Sequence, residues 1–509
     1  MKLVTAEEMT ELEQLAMREY AISGLILMEN AARSFCDVLE QKVGSLSGKR
    51  MTVFCGGGNN GGDGFAISRH AANRGAYVTV AAVFDPQRLK ADAKTNFEII
   101  TRMGISVLPW DKAAKAPCDI AVDALLGTGF HGSVREPLPA VFEAIGATHA
   151  FVAAVDIPSG CAADDGAADV CVYADLTVTF GLAKPGQFLY PAKRFCGEVV
   201  VTDISLPQQT VKAFPSPFCV MDESLFDRLP KHDDNSHKGT FGKVLAFVGS
   251  PGMCGAAVMS STAVLRSGAG MVTAAVPKSM LDAVASQVRE VMTLPLPMEG
   301  DALSKTAAGI LEERLRTQNV LLAGCGIGTG ENTKKVLLPL ITACEKPLVL
   351  DADGINLLKG NINILKNKTT PVILTPHPLE FSRISGHSVE HIAANRLRTA
   401  VDFAREYKIV LVLKGADTIV AHPDGSVCIC PISNSGLATA GSGDVLSGII
   451  ASLLAQGLSA EAAADLGVFI HARAGLLARK KLGARGMMAG DVLDALPAVL
   501  LAAENGRRD

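Results

Sequence analysis

A run of glycines, amides and a carboxylate follows the first long apolar segment of the chain. The run 56–64, Gly-Gly-Gly-Asn-Asn-Gly-Gly-Asp-Gly, precedes a predicted helix at Phe65–Arg74. Backbone N–H groups of successive glycines can approach a phosphate closely, and a helix N-terminus adds about half a positive charge there. The two amides and the carboxylate could instead coordinate a cation or a ribose. The run therefore predicts a binding loop rather than a simple strand-to-helix turn.

Two further predicted strands of the first half end in polar loops. One loop begins at Asp123 and extends to Ser133, and the other is Asp156-Ile-Pro-Ser-Gly160. Ligands of open α/β sheets bind outside the carboxyl ends of the strands, so we expect these loops to converge with the glycine run. Asp156 is the acid/base candidate, with a structural Asx turn as the alternative. For Asp123, the alternative to ligand binding is a structural role as a helix cap or turn residue.

The sharpest signal of the second half is Gly441-Ser442-Gly443-Asp444. Apolar residues at 446, 449, 450 and 453 give the following segment helical spacing. The Gly-Ser-Gly turn therefore forms an anion hole at a helix N-terminus. An Asp on the first turn can deprotonate a hydroxyl while backbone amides stabilise a transferring phosphoryl group. A capping role is the alternative for this Asp, and no Gly-Lys-Ser/Thr follows that would make the turn a Walker A loop.

Other predicted strand ends of the second half are also polar. Lys414 lies at the end of one buried strand. It is either a nucleotide contact or a charge exposed to solvent. His377 lies between two prolines after another strand, which favours a loop position over a place on an apolar face. The segments 324–328 and 351–356 complete this set. We expect these loops to meet at one edge of a second sheet.

The elements that must position these residues alternate between short β-branched runs and helix-period segments. This alternation is typical of α/β layers with parallel sheets. The predicted strands of the first half are 51–55, 77–83, 120–124, 151–155, 176–180 and 198–202. Those of the second half are 243–249, 271–276, 320–323, 347–350, 372–374 and 409–413, followed by a hairpin of 418–421 with 427–430 and by helices. A proline-rich and charged stretch indicates a boundary near residue 225, which gives domains 1–225 and 226–509.

Composition narrows the class of protein. The 509 residues predict two to four domains, and a net charge of −4 lacks the basic excess of a nucleic-acid-binding protein. The most apolar stretches fall short of the roughly 20 residues that a spanning helix needs. Thr5 and Glu8 indicate a capping box at the N-terminus, and the cysteines have no zinc-site spacing. We expect a soluble, cytoplasmic protein without a nucleic-acid or membrane partner.

Five segments of the first half together resemble the NAD(P)HX epimerase domain, over roughly residues 1–215. They are 24–32, 59–64, 123–132, 156–160 and 184–186. The resemblance implies a Rossmann-like domain that interconverts the R and S forms of hydrated NAD(P)H, with Asp156 as the catalytic residue. It implies potassium ligands at Asn60, Asp123 and Ser159. It also implies substrate contacts at Asn59, Asn60, Gly61, Gly62, Asp63, Gly127, Thr128, Gly129, Phe130, His131, Gly132, Ser133 and Asp156.

Five segments of the second half resemble the ADP/ATP-dependent NAD(P)HX dehydratase, a ribokinase-like domain, over roughly residues 235–500. They are 238–243, 351–356, 375–378, 414–416 and 441–444. The resemblance implies that Asp444 is catalytic and that magnesium accompanies ADP or ATP. Implied substrate contacts are Ala256, Gly328, His377 and Asp444, and implied nucleotide contacts are Lys414, Gly415, Ala416, Asp417, Thr418 and Gly443. The family's Gly-Pro-Gly-Leu-Gly is Gly-Cys-Gly-Ile-Gly at 324–328 here, which leaves open which glycine touches the substrate.

We therefore expect two three-layer α/β/α domains, Rossmann-like and then ribokinase-like, in an isomerase fused to a lyase. One alternative is a ribokinase-like kinase for a small alcohol or vitamin precursor, fused to a non-catalytic nucleotide-binding module. An NAD-dependent dehydrogenase ranks last, since it rests only on the glycine run and on Asp85, 24 residues after Gly61. Similar fused proteins prefer ADP, but the residues themselves leave open ADP versus ATP, NADHX versus NADPHX, channelling and any homo-oligomer.

Overall fold

The computed structural model describes residues 1–89 and 91–506 and divides the chain into two compact units. The first unit contains Lys2–Cys219. The second contains Met1 and the residues from Val220 onward.

A parallel sheet of seven strands forms the centre of the first unit. The strands of this part of the chain are β1 (Lys2–Leu3), β2 (Arg50–Cys55), β3 (Tyr77–Ala82), β4 (Ser106–Pro109), β5 (Ile120–Ala124), β6 (Phe151–Val155), β7 (Leu176–Phe180), β8 (Glu198–Thr202) and β9 (Phe218–Val220). The sheet order is β4-β3-β2-β5-β6-β7-β8, and β1 pairs antiparallel with β9. Because the chain leaves β2 to one side for β3 and returns to its other side at β5, the β2–β5 crevice is the topological switch point where ligands bind in such sheets.

Helices cover both faces of this sheet. They are α1 (Ala6–Tyr20), α2 (Gly24–Val43), α3 (Asn59–Asn73), α4 (Ala91–Arg102), α5 (Trp110–Ala113), α6 (Leu138–Ala147) and α7 (Gln208–Ala213). Side chains alternate along β2, so that Val53 packs with Phe35 and Phe65 on one face. Phe54 packs with Val141 and Phe142 on the other face. Two cores on opposite faces give the three α/β/α layers.

The second unit also contains a mainly parallel sheet. Its strands are β10 (Lys243–Phe247), β11 (Met271–Pro277), β12 (Met292–Leu296), β13 (Met298–Glu299), β14 (Ala302–Leu303), β15 (Val320–Ala323), β16 (Leu348–Leu350), β17 (Val372–Leu374), β18 (Val410–Leu413), β19 (Ile419–Ala421) and β20 (Val427–Ile429). The order is β20-β19-β18-β17-β16-β15-β10-β11-β12, while β13 and β14 form a separate small hairpin. The pairs β18–β19 and β19–β20 are antiparallel, and the other pairs of this order are parallel. The switch point lies at β10, next to β15.

Eleven further helices of the described chain pack in the second unit. They are α8 (Cys254–Arg266), α9 (Leu281–Ala285), α10 (Ala307–Leu315), α11 (Glu331–Ala343), α12 (Asp353–Asn356), α13 (Pro378–Ser385), α14 (Val389–Ala394), α15 (Arg396–Tyr407), α16 (Ser442–Ala455), α17 (Ala460–Gly486) and α18 (Ala489–Asn505). The apolar helix α16 packs against α8 and α17 and against β10, β15 and β16. This packing fixes the N-terminus of α16 at the carboxyl edge of the sheet.

Most predicted elements are confirmed, and the differences have physical causes. The bounds predicted for six strands match those of β5, β6, β7, β8, β15 and β17. The helix predicted at Phe65 begins at Asn59, because the glycine run forms the first turn of α3 instead of a loop. The prediction missed β4 and β12, which lie at sheet edges and are partly exposed. The capping box of Thr5 and Glu8 is confirmed.

None of the helices in the described parts of the chain is long and apolar enough to cross a membrane.

Candidate active sites

The three predicted cation ligands of the first unit lie around the backbone of Leu125 and Leu126, at the β2–β5 switch point. Asn60 Nδ2 donates to Leu126 O at 3.0 Å, and Ser159 Oγ accepts from Leu126 N at 2.8 Å. Ser159 Oγ donates to Asp123 Oδ1 at 2.6 Å, and Ser159 N donates to Asp123 Oδ2 at 2.7 Å. The structure therefore places Asn60, Asp123 and Ser159 in one cluster, although 99 residues separate the first from the last.

The electrostatics of this cluster favour a bound cation. Asp123 is fully buried, and burial raises its pKa to about 6, although hydrogen bonds from Ser159 and Leu125 lower it. A cation beside the cluster would favour the carboxylate form. The nearby donors are hydroxyl, amide, carboxylate and backbone carbonyl oxygens, which are the ligands that hard cations prefer. The residues present thus fit a hard cation.

The glycines of the run pack α3 against the sheet. A Cβ on Gly61 would lie 1.9 Å from Gly56 O, and a Cβ on Gly64 would lie 2.7 Å from Ala124 Cβ. Gly62 is equally close-packed, against Met28 and Ala93. These glycines allow the backbone of α3 to approach its neighbours, so packing alone is enough to account for them. Asn59 is exposed beside them, and the predicted contact loop 127–133 is mostly exposed.

Asp156 is held by a lysine that the site prediction did not include. Lys184 Nζ donates to Asp156 Oδ1 at 2.6 Å, and the Lys184 side chain is 1% exposed. Thr179 Oγ1 donates to the same oxygen at 2.8 Å, and Gln187 Nε2 donates to Asp156 O at 2.7 Å. Asp156 has a left-handed backbone with φ of +65°, which is uncommon outside glycine and typical of functional positions. A strained backbone and a buried ion pair thus fix this carboxylate at the end of β6.

Asp444 of the second unit lies on the first turn of α16, as the sequence predicts. The preceding Gly441 has φ of +88°, which glycine adopts without strain. A Cβ on Gly443 would lie 3.2 Å from Lys414 Nζ and 3.4 Å from Asp351 Oδ2. Because Gly443 has no side chain, Lys414, Asp351 and Asp444 can lie close together at the N-terminus of α16.

Lys414 interacts with two buried carboxylates beside the first turn of α16. Its Nζ donates to Asp351 Oδ1 at 2.8 Å and lies 3.9 Å from Glu380 Oε2. Burial disfavours the charged forms of both Asp351 and Lys414. Their mutual attraction nevertheless lowers the pKa of Asp351 and raises the pKa of Lys414. Burial, followed by the charge of Asp351, raises the pKa of Asp444 to about 6. Sequence reasoning missed Asp351 as a site residue, although its strand-end position was noticed.

Two carboxylates and a thiol could surround a metal ion here. One ligand atom from each of Cys325, Asp351 and Asp444 lies within 4.8 Å of the others. Burial, with the charges of Asp444 and Asp351, raises the pKa of Cys325 well above its usual value, so the thiol stays protonated. A protonated thiol is a poor ligand, whereas two carboxylates suit magnesium. Asp351 and Asp444 therefore fit this ion and Cys325 does not.

The glycine segment 324–328 shows which of its members faces open space. A Cβ on Gly324 would lie 1.9 Å from Asp351 O, and one on Gly326 would lie 2.8 Å from Ala256 Cβ. The nearest atom to a Cβ on Gly328 is Ser250 Oγ, at 3.8 Å. Gly328 N donates to Asp353 Oδ2 at 2.9 Å. Gly328 is thus the glycine that a ligand can reach, and Ala256 lies behind Gly326.

His377 is a helix cap that also borders the charged cluster. Leu379 N and Glu380 N donate to its Nδ1 at 3.2 and 3.3 Å, and its own backbone N donates to Glu380 Oε2 at 2.8 Å. Its side chain is 45% exposed. The prediction that His377 is not a buried core residue is confirmed, and through Glu380 the ring adjoins Lys414.

The segment that follows Lys414 divides into exposed and buried residues. Gly415 and Ala416 are exposed, and Thr418 Oγ1 donates to Gly415 O at 3.1 Å. Asp417 is buried and pairs with Arg396 at 3.4 Å. The structure therefore gives Asp417 a role within the fold, while the backbone of Gly415 and Ala416 is open to a ligand.

Comparison with known proteins identifies both halves. A family model described as NAD(P)H-hydrate dehydratase matches residues 244–498. Another, described as YjeF-related protein N-terminus, matches residues 24–186. The Bifunctional NAD(P)H-hydrate repair enzyme Nnr of Moorella thermoacetica is 42% identical to the chain, with 98% of this chain and 97% of that protein covered. The chain belongs to the family of bifunctional NAD(P)H-hydrate repair enzymes.

Two further proteins are similar to the chain at lower identity. The enzyme of the same name from Escherichia coli K12 is 34% identical, with 89% of this chain and 85% of that protein covered. The crystal structure of the ADP/ATP-dependent NAD(P)H-hydrate dehydratase from Bacillus subtilis, co-crystallised with ATP/Mg²⁺, is 27% identical. It covers 56% of this chain and 98% of its own, with a TM-score of 0.48. The predicted membership of a bifunctional repair family is confirmed. The predicted α/β fold class is also confirmed, since each unit has a mainly parallel sheet with helices packed against it.

Proposed function

We propose that the first unit interconverts the R and S forms of hydrated NAD(P)H, with Asp156 as an acid/base group. The support is the fixed Asp156 carboxylate, ion-paired with buried Lys184 at the carboxyl edge of the sheet. Near it lie the first turn of α3 and the loop 127–133, which would contact the substrate. Epimerisation needs only proton transfer and the movement of water at one carbon, which a carboxylate and an ammonium can supply.

We propose potassium as the cation of the first unit, held by Asn60, Asp123 and Ser159. When bound, the cation would supply positive charge that balances Asp123 and the substrate's phosphates. Asp123 holds the loop at Ser159 through two hydrogen bonds. The cation would therefore order the loop that also carries Asp156, three residues before Ser159.

We propose that the second unit dehydrates the S form with ADP or ATP. Asp444 takes the proton of the substrate hydroxyl, which then receives the terminal phosphoryl group of the nucleotide. Loss of the phosphate with a ring proton restores the double bond of NAD(P)H. Backbone N–H groups at Gly443 and the ammonium of Lys414 balance the charge on the transferring phosphoryl group. The contact of Gly443 with Lys414 and Asp351 is the observation that carries this proposal.

The remaining predicted contacts divide between two ligands. Gly328 and His377 would face the hydrated nicotinamide nucleotide, and Ala256 would support this site from behind Gly326. The open backbone of Gly415 and Ala416 would face the adenine nucleotide, and buried Asp417 would hold this segment in place through Arg396. Magnesium would be held by Asp351 and Asp444 and would neutralise phosphate charge. We place the enzyme in the cytoplasm, with the NADH and NADPH whose damaged forms it repairs.

One assay tests the function of the whole chain. Heating NADH or NADPH at mildly acidic pH gives both hydrated epimers, and their repair restores the absorbance of the reduced nicotinamide. We expect complete recovery with ADP or ATP and magnesium, and no recovery without a nucleotide. Comparison of the initial rates with the two nucleotides gives the preference. A protein that phosphorylates small alcohols and leaves hydrated NADPH unchanged would instead be a ribokinase-like kinase.

A further inference from the structure

The buried face of α1 carries a carboxylate that no assigned role explains. Met9, Leu12 and Ala16 of α1 are buried, and Glu13 lies on the same face, four residues after Met9. A Cβ on Gly181 would lie 2.6 Å from Met9 Cε. This face of α1 therefore packs against the chain that leads to Lys184, with Glu13 one helical turn further along.

The backbone just before α1 is hydrogen-bonded to the segment that leads to Lys184. Val4 N donates to Ala183 O at 3.0 Å, immediately before Lys184. The start of α1 is thus fixed beside this part of the site. Glu13 is half-buried and has electrostatic interactions with both Lys184 and Asp156. The side chain therefore belongs to the surroundings of the Asp156–Lys184 pair.

Charge balance around this pair is incomplete. Three carboxyl groups, Glu13, Asp63 and Asp156, interact with the single ammonium of Lys184. Lys184 Nζ already forms an ion pair with Asp156 Oδ1, at 2.6 Å. Within the described chain, the side-chain carboxyl groups of Glu13 and Asp63 accept no hydrogen bond from a protein group. Carboxylates without such partners are costly to bury, so these two groups favour the protonated form.

The direction of the pKa shifts agrees with this balance. Burial raises the pKa of Glu13 to about 7; the charge of Lys184 lowers it and that of Asp156 raises it. Burial also raises the pKa of Asp63 well above its usual value, as do the charges of Asp156 and Glu13, while Lys184 opposes the shift. The surroundings of the ion-paired Asp156 therefore favour the protonated forms of Glu13 and Asp63. Titratable groups whose environments differ in this way are the mark of an acid and a base.

We propose that Glu13 is the proton donor of the epimerase site and that Asp156 is the matching base. This proposal rests on the epimerase function of the first unit. Hydration places a hydroxyl group on the carbon next to the ring nitrogen of the nicotinamide. The Glu13 carboxyl gives its proton to that hydroxyl, the C–O bond breaks with its electron pair on the departing water, and the nitrogen lone pair forms a C=N bond.

In the second half of the reaction, water is added back and both carboxyl groups regain their starting protonation states. A water molecule adds to the opposite face of the C=N bond, whose electrons return to nitrogen, and gives its extra proton to Asp156. Exchange with solvent then returns a proton to Glu13 and removes one from Asp156. The reverse epimerisation uses the same groups in their opposite protonation states. No oxidant, reductant or nucleotide is needed.

The test compares Glu13→Gln with two matched variants of the full chain. Glu13→Gln keeps the shape and removes the titrating group, and Glu13→Asp keeps an acid. Glu11→Gln is the control, since Glu11 lies two residues away on the exposed side of α1. The rate of conversion between purified R and S epimers is measured by chromatography from pH 5 to 9, together with dehydration of the S form.

We expect Glu13→Gln to slow epimerisation about 10²–10⁴-fold and to leave dehydration unchanged. In the parent, epimerisation should fall as the pH rises through about 7, because the donor must be protonated. Glu13→Gln should lose this dependence, and Glu13→Asp should regain activity with an alkaline decline displaced from that of the parent. Glu11→Gln should match the parent throughout.

Glu13→Gln with the parent rate, or with the parent pH profile at a lower rate, would overturn the proposal. Fluorescence of Trp110, which is the chain's single tryptophan and lies in the first unit, checks that the variants are folded. If Glu13→Gln is unfolded, Glu13→Asp decides: a parent-like pH profile in that variant contradicts the proposal, and a displaced alkaline decline supports it. If Asp156→Ala and Glu13→Gln both match the parent, the epimerase assignment of this site is itself wrong.

Discussion

At the scale of single residues, both sites are built on a buried lysine–carboxylate pair. Lys184 holds Asp156 in the first unit, and Lys414 holds Asp351 in the second, at 2.6 and 2.8 Å. Such pairs add little net stability, because desolvation of both charges offsets their attraction. They do fix the position of a charge beside the reacting groups, which is what catalysis requires.

Removal of one partner should therefore be costly. Lys184→Met leaves the Asp156 carboxylate buried without its cation, and we expect a loss of about 3–5 kcal/mol in the free energy of unfolding. Lys42→Met removes the exposed pair with Glu198 and should cost less than about 1 kcal/mol. Urea unfolding followed by Trp110 fluorescence measures both. Equal losses in the two variants would show that Asp156 does not need Lys184 to balance a buried charge.

Asp444 offers a direct test of the second site. Asp444→Asn keeps the shape of the first turn of α16 but removes the base, so dehydration of the S form should fall about 10²–10⁴-fold. Interconversion of the epimers should continue, since that chemistry belongs to the first unit. Absorbance recovery measures the first activity and chromatography the second. A variant that keeps near-parent dehydration would exclude Asp444 as the base.

Residue types at strand ends were enough to predict part of the sites. Asp123, Asp156 and Asp444 stand out because a carboxylate after a buried strand or beside a glycine turn has few other uses. Lys184 and Glu13 could not be predicted in this way. Each is separated from Asp156 by a long stretch of chain, and only the packing of α1 and β7 brings these charges together.

At the scale of elements, close packing decides the start of α3. The glycine run looks like a loop from its composition, because glycine disfavours helices. Tertiary packing overrides this preference: α3 approaches β2 and β5 so closely that Cβ atoms do not fit at Gly61 and Gly64. The same approach places Asn60 against Leu126, so the packing of α3 also builds the proposed cation site.

Two alanine substitutions in this run test the packing account. Gly61→Ala introduces a Cβ that would lie 1.9 Å from Gly56 O, whereas Gly58→Ala meets no atom within 4 Å. We expect Gly61→Ala to destabilise the first unit by about 1–3 kcal/mol, as overpacking does, and Gly58→Ala to change stability little. Trp110 fluorescence during urea unfolding provides the comparison. Similar stability in both variants would contradict the close approach of α3.

At the scale of the whole molecule, each unit has a large, mainly parallel sheet that carries its own proposed site. The cores of the first unit lie between Val4 and Phe214. The segment after Val220 packs within the second unit instead: Phe226 contacts the ring of Phe469, and Arg228 pairs with Asp465 at 3.5 Å. The sequence predicts a boundary near residue 225, and these contacts favour division at residue 220.

We expect fragments 1–219 and 220–509 to fold and to keep epimerase and dehydratase activity respectively. A second fragment that begins at residue 230 should be less stable, because it lacks the contacts of Phe226 and Arg228. Circular dichroism during heating and the two activity assays provide the measurement. Fragments that are active only when mixed would show that the two chemistries share one structure.

The central claim is that two independent sites act in sequence on the R form. The decisive measurement is absorbance recovery from purified R epimer with nucleotide, after subtraction of spontaneous epimerisation, for Asp156→Ala, Asp444→Asn and an equal mixture of the two. We predict no recovery with either variant alone and recovery with the mixture, while Asp156→Ala alone repairs the S epimer at the parent rate. Repair of the R epimer by Asp156→Ala alone, or no repair by the mixture, would contradict the account.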